Sequence, residues 1–177
     1  MMMVALIRKF LRERSGTAAI EFAIVLPLML GMVAGAVELG RAFQVYNAVN
    51  RLATQYAFTW ADCSDSPAGT CLTELSSYTA SFSLANIAPL LITSNISLRM
   101  FQVTVNGSAA NVVYAYPSGQ TLTSAETTAA TSTLTNGQTG VVVSVSYVHQ
   151  LIVFSTLMSP IIGSSFTIAY TVVQVKA

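Results

Sequence analysis

The sequence predicts an α+β fold: a long N-terminal helix, transmembrane in its first half and amphipathic in its second, packed on a small antiparallel β-sheet domain. Three observations lead there. A 23-residue apolar run, Thr17 to Leu39, follows a basic tail. Apolar residues then recur every three or four positions as far as Trp60. Beyond Ala61 the pattern turns to loop-rich stretches separating β-type runs. Composition agrees. Of 177 residues, 53% are hydrophobic and 8% charged, against about a quarter charged in an ordinary soluble domain. Mean hydropathy is +0.62, which argues against a disordered chain and a free cytosolic globule. A net charge of +1 offers no basic surface to nucleic acid. One histidine and two cysteines are too few for a multi-ligand zinc site without heavy carboxylate help. No cofactor is expected.

The basic tail comes first. Arg8, Lys9, Arg12 and Arg14 face only Glu13, a net +3, while the rest of the chain carries −2. Positive charge just before an apolar run keeps the tail cytoplasmic and sends the downstream chain across the membrane. The 23 apolar residues would span about 35 Å as a helix, and a bilayer core needs roughly 30 Å. Pro27 breaks one backbone bond, which membrane helices tolerate. Glu21 is the anomaly. A carboxylate deep in a membrane helix costs about 2.5–3.5 kcal/mol, so it either has a partner or lies near the cytoplasmic face and reaches the headgroups. Three fates compete for the segment. It is a permanent anchor, a secretory signal cut at Ala34-Gly35-Ala36, or a substrate processed at Gly16. The length of the basic stretch and the interruption at Glu21 argue against the secretory signal.

Gly16-Thr17-Ala18-Ala19-Ile20-Glu21-Phe22 has the form of a type IV prepilin cleavage site: basic leader, glycine, four residues, glutamate, aromatic. The longer stretch from Gly16 to Ala53 resembles the TadE-like family of pseudopilins of the Flp (tight adherence) pilus machinery. The resemblance rests on the Glu21-Phe22 pair, Pro27 within the apolar run, and Glu38 with Gly40-Arg41. It implies a minor pseudopilin, a structural or assembly component of a Flp-type pilus or related secretion apparatus. Cleavage would fall after Gly16, whose missing side chain lets a protease approach the backbone. Thr17 would become the mature N-terminus. Glu21, beside Phe22, would then pair with the N-terminal amine of a neighbouring subunit and set the register between helices. The implied partners are a prepilin peptidase, other pilins through their N-terminal helices, an inner-membrane platform with its assembly ATPase, and the lipid bilayer. The chain divides into a leader (1–16), a transmembrane or pilin helix (17–39), an amphipathic extension (40–61) and a β-rich periplasmic domain (62–177). A rival reading is a cell-envelope binding protein on an uncleaved signal anchor.

In the extension, Phe43, Tyr46, Val49, Leu52 or Ala53, Tyr56 and Trp60 form an apolar stripe, and Arg41, Gln44, Asn47, Asn50, Arg51, Thr54 and Gln55 largely occupy the other face. The stripe reads as a core against the domain, with a surface for a separate partner as the alternative, and Tyr46 reads equally as an interfacial aromatic. One unbroken helix ending near Ala61 accounts for both halves. Next comes a turn-rich stretch with Cys63 and Cys71, seven residues between them. If this segment is periplasmic, a disulfide is the simple expectation, with two unpaired thiols as the alternative. Strands are predicted over Ser97–Val105, Val112–Tyr116, Gly140–Gln150 and Ser164–Val175. Tyr78–Ile96, broken by Pro89, reads as short helix or coil, and Leu151–Ile162 as an apolar connection lying on the sheet or the membrane. Thr121–Thr139, with ten Ser or Thr in nineteen residues, reads as an exposed loop, with a hairpin excursion, a contact surface or a glycan acceptor as alternatives.

Acid–base candidates are Asp62, Asp65, Glu74 and His149. The two aspartates lie among turn residues, where carboxylates cap loops. His149 ends a strand, where a structural or exposed histidine is expected. No catalytic role is predicted. Leader cleavage makes the chain a protease substrate, not a protease.

Overall fold

The computed structural model describes residues 15–62, 88–152 and 163–176. Helix α1 runs unbroken over Ser15–Ala61, 47 residues with Pro27 inside, about 70 Å at ~1.5 Å per residue. A 3-10 turn at Thr93–Asn95 leads into β1 (Ile96–Asn106) and β2 (Ala109–Tyr116). Helix α2 (Ser124–Thr133) follows, then β3 (Thr139–Gln150) and β4 (Ser165–Val175). The four strands form one antiparallel sheet in the order β2-β1-β3-β4. All four predicted strands are present, each within a few residues of its expected bounds.

The β1–β2 hairpin turns through Gly107-Ser108, with Asn106 paired to Ala109. Gly107 has φ +63, which a first central turn residue without a Cβ adopts freely. Strand alternation then sorts side chains between two layers. Met100, Val141, Val143, Val145, Tyr147 and Ile168 point to α1 and bury its residues Val45, Val49, Leu52, Ala53, Tyr56, Ala57 and Trp60. Phe101, Val103, Val105 and Val142 point the other way, to Ala130 and Leu134 of the α2 segment. The sheet is thus covered by a helix on each face. Gly140 is needed for this closeness, since a Cβ there would lie 2.6 Å from Leu134 Cδ2 and 2.8 Å from the Gln174 carbonyl oxygen.

Two expectations are corrected. Phe43 and Tyr46 are exposed, and the buried stripe is led by Val45 instead. Residues 45, 49, 52, 56 and 60 keep one phase of the 3.6-residue period, and 43 and 46 lie to its side. The Ser/Thr-rich tract is not simply an exposed loop, because it contains α2. A capping box starts the helix: Glu126 N–H donates to Thr123 Oγ1 (3.3 Å), and Thr123 N–H donates to Glu126 Oε2 (2.7 Å). Within the helix, the hydroxyls of Thr127, Thr128, Thr131 and Thr133 donate to carbonyls four residues back. Cys63, Cys71, Asp65 and Glu74 lie outside the described residues, as do the leader to Arg14 and most of Leu151–Ile162.

Candidate functional site: the apolar helix and its root

The first half of α1 stands clear of the sheet domain. No residue from Gly16 to Val37 is buried, and Ile20, Phe22, Ile24, Leu28, Leu30, Met32 and Val33 are widely exposed. The helix is long and apolar enough to cross a membrane, by length and composition, and so fits a membrane anchor. Gly16 and Thr17 sit in its first turn. Glu21 lies one turn beyond Thr17, on the same face. It is exposed and forms no ion pair among the described residues. Phe22 is exposed beside it. Gly31 and Gly35 fall on one helix face, and space beside Gly31 is open. Small residues at that spacing let another helix approach closely in lipid.

The helix is rooted in the sheet domain at Glu38. This carboxylate is buried, and it accepts from His149 Nε2 (3.3 Å) and from the Ile152 backbone N–H (3.4 Å). The Phe166 ring meets the His149 ring at 5.1 Å. His149, expected from the sequence to be structural or exposed, is the structural kind. Its partner is not evident from the sequence, although both residues carry a signal. Glu38 shares the helix face of Val45, Val49 and Leu52, and His149 continues the inward alternation of Val143, Val145 and Tyr147. A second buried carboxylate, Glu126, pairs with Arg99 Nη1 at 3.3 Å. Arg99 also donates to the Thr121 carbonyl and lies over the Phe101 ring. This cluster pins α2 to the sheet. No group of three or more His, Cys, Asp or Glu side chains converges among the described residues.

The chemistry the first half of α1 offers is therefore lateral and apolar: insertion in lipid, or packing against other apolar helices. Comparison with known families agrees with this geometry. Residues 16–57 match the family described as TadE-like protein, consistent with a TadE-like protein of the Tad/Flp pilus system. That family is one of structural pilus components. The match covers the bare half of α1, its root at Glu38, and most of the buried stripe. Neither a curated protein nor a solved structure matches the chain.

Proposed function

From a TadE-like N-terminal helix, we propose that this chain is a minor pseudopilin, a structural or assembly component of a Flp-type pilus or related secretion apparatus. The supporting observation is the bare apolar helix with a carboxylate at the fifth position after Gly16. The leader stays cytoplasmic, the helix spans the inner membrane, and the sheet domain faces the periplasm. A prepilin peptidase cuts between Gly16 and Thr17. The mature helix then leaves lipid by packing against other pilin helices, driven by the assembly ATPase and its inner-membrane platform. Glu21 meets the N-terminal amine of a neighbour, which offsets the burial of its charge. In the oxidising periplasm Cys63 pairs with Cys71, closing a short loop that contributes about 2–3 kcal/mol.

Two variants test the separate steps. Gly16→Leu fills the space a protease needs, so mass analysis should show the leader retained; normal maturation would remove the processing step. Glu21→Gln keeps the size and removes the charge. It should insert, be at least partly cleaved, and be recovered less in pilin-containing complexes. Unchanged recovery would leave Glu21 as a headgroup-facing residue. The rival reading, an envelope binding protein on an uncleaved anchor, is favoured if N-terminal sequencing of the membrane form finds the leader retained in the wild type.

A further inference from the structure

An apolar groove lies beside the root of α1, between the helix and the edge strand β4. Leu39, Ala42, Phe43 and Tyr46 form one wall, and Phe166 and Ile168 the other. Leu39 is 59% exposed, Phe43 61% and Phe166 40%, and Ile152 at the same level is 61% exposed. An exposed cluster of this kind on a small domain marks a contact surface. Its position says with what. The bare helix from Gly16 to Val37 is 22 residues, about 33 Å, so it uses up a hydrocarbon core of roughly 30 Å. Leu39 then lies about 3 Å and Phe43 about 9 Å further along the axis, where one headgroup layer is roughly 5–7.5 Å deep; helical side chains lean back toward the N-terminus, so the Phe43 ring reaches the outer edge of that layer from a Cα just beyond it.

The sheet domain is held at that same height. Ile152, just past the end of β3, donates its N–H to Glu38, and Phe166, at the start of β4, meets the His149 ring edge-on. Both strand ends are therefore level with the point where the helix leaves the apolar span. Residues 153–162, which join them in sequence, include no charged residue. Around the root, the described residues 38–43, 148–152 and 163–168 contain just two formally charged side chains, Glu38 and Arg41. Glu38 is buried with His149. Arg41, partly exposed on the helix, suits a lipid phosphate.

We infer that the sheet domain sits directly on the bilayer, with Leu39, Phe43, Ile152 and Phe166 dipping into the interfacial layer while the helix is membrane-bound. The occupant of the groove is lipid. The inference rests on the membrane span alone and not on the pseudopilin reading. Docking at four apolar side chains adds to the anchoring of the helix and fixes the tilt of the domain against the surface.

Depth-resolved fluorescence quenching tests it on the full chain in phosphatidylcholine vesicles carrying bromine at defined acyl positions. Trp60 is the sole tryptophan and is fully buried in the core, so wild-type emission should be insensitive to bromine and its maximum reports folding. Phe43→Trp and Phe166→Trp should each add emission that bromines near the headgroup quench strongly. Leu30→Trp, in the bare helix, should be quenched best by deep bromines. Val113→Trp, exposed on the far edge strand β2, should be unaffected. If Leu30→Trp is quenched while Phe43→Trp and Phe166→Trp match the wild type, the domain stands off the bilayer and the groove serves a protein, such as a second copy of the chain. If Leu30→Trp is also unquenched, the membrane anchor falls together with the docking.

Discussion

Glu38 and His149 are 111 residues apart in sequence and 3.3 Å apart in space. Removing the carboxylate would leave the buried His149 Nε2 without this acceptor. An unsatisfied group of this kind costs about 1–3 kcal/mol. Glu38→Ala should therefore destabilise the domain by about that amount, read from the denaturant midpoint of Trp60 emission in detergent. Replacing both partners by apolar groups of similar shape removes the need for pairing, so Glu38→Leu combined with His149→Phe should recover much of the loss. A double variant as unstable as the sum of its single variants would show that the two residues act separately. Glu21 sits on the same helix under opposite conditions. Nothing in the described residues covers it, whereas Glu38 accepts from His149 and from the Ile152 backbone. One carboxylate is an internal fastening, and the other faces outward.

At the scale of elements, α2 is the one that its composition conceals. Ser and Thr compete with helix backbone for hydrogen bonds and are weak helix formers. The helix forms because Thr123 and Glu126 cap it, and because Ala130 and Leu134 bury against Phe101, Val103 and Val142. Thr123→Ala should cost about 0.5–2 kcal/mol. Glu126→Ala should cost more, since it also strips Arg99 of its carboxylate, although Arg99 remains about a quarter exposed and water offsets part of that loss. Hydrogen exchange of the α2 amides, with the denaturation midpoint, measures both. Equal effects of the two substitutions would mean that the Arg99 pairing contributes nothing. Helix α1 is the reverse case. Its length and apolar run are plain in the sequence, and its phase is obscured at Phe43 and Tyr46, because bulky aromatics suggest core even where they lie beside the stripe.

For the whole molecule, the division between exposed and buried helix makes a simple expectation. The segment Gly16–Val37 contributes no buried side chain, whereas Glu38 to Ala61 supplies one face of the main core. A chain lacking residues 1–36 should keep its sheet and its Trp60 emission maximum in mild detergent, with an unchanged melting midpoint. A large fall in that midpoint would show that the membrane half supports the fold. The same division separates the two halves: the first half of α1 is bare and long and apolar enough to cross a membrane, and the second half carries the sheet.

What the sequence by itself determines here is local or periodic. The apolar run, the basic tail before it, the G-x4-E-F spacing and the four β-type runs are legible because each depends on near neighbours or on a period of 3.6 or 2 residues. The TadE-like match falls on that same legible stretch. Tertiary structure decides what depends on distant contacts. It chooses which of several adjacent apolar residues face the sheet, brings Glu38 to His149, and stabilises a Ser/Thr-rich helix with Arg99 and the far face of the sheet. It also sets the ends of β3 and β4 level with the root of α1, where Leu39, Phe43, Ile152 and Phe166 gather. None of these residues is a neighbour of its partners along the chain. Burial and hydrogen bonding between distant segments select among such pairings, and both exist only once the sheet has formed.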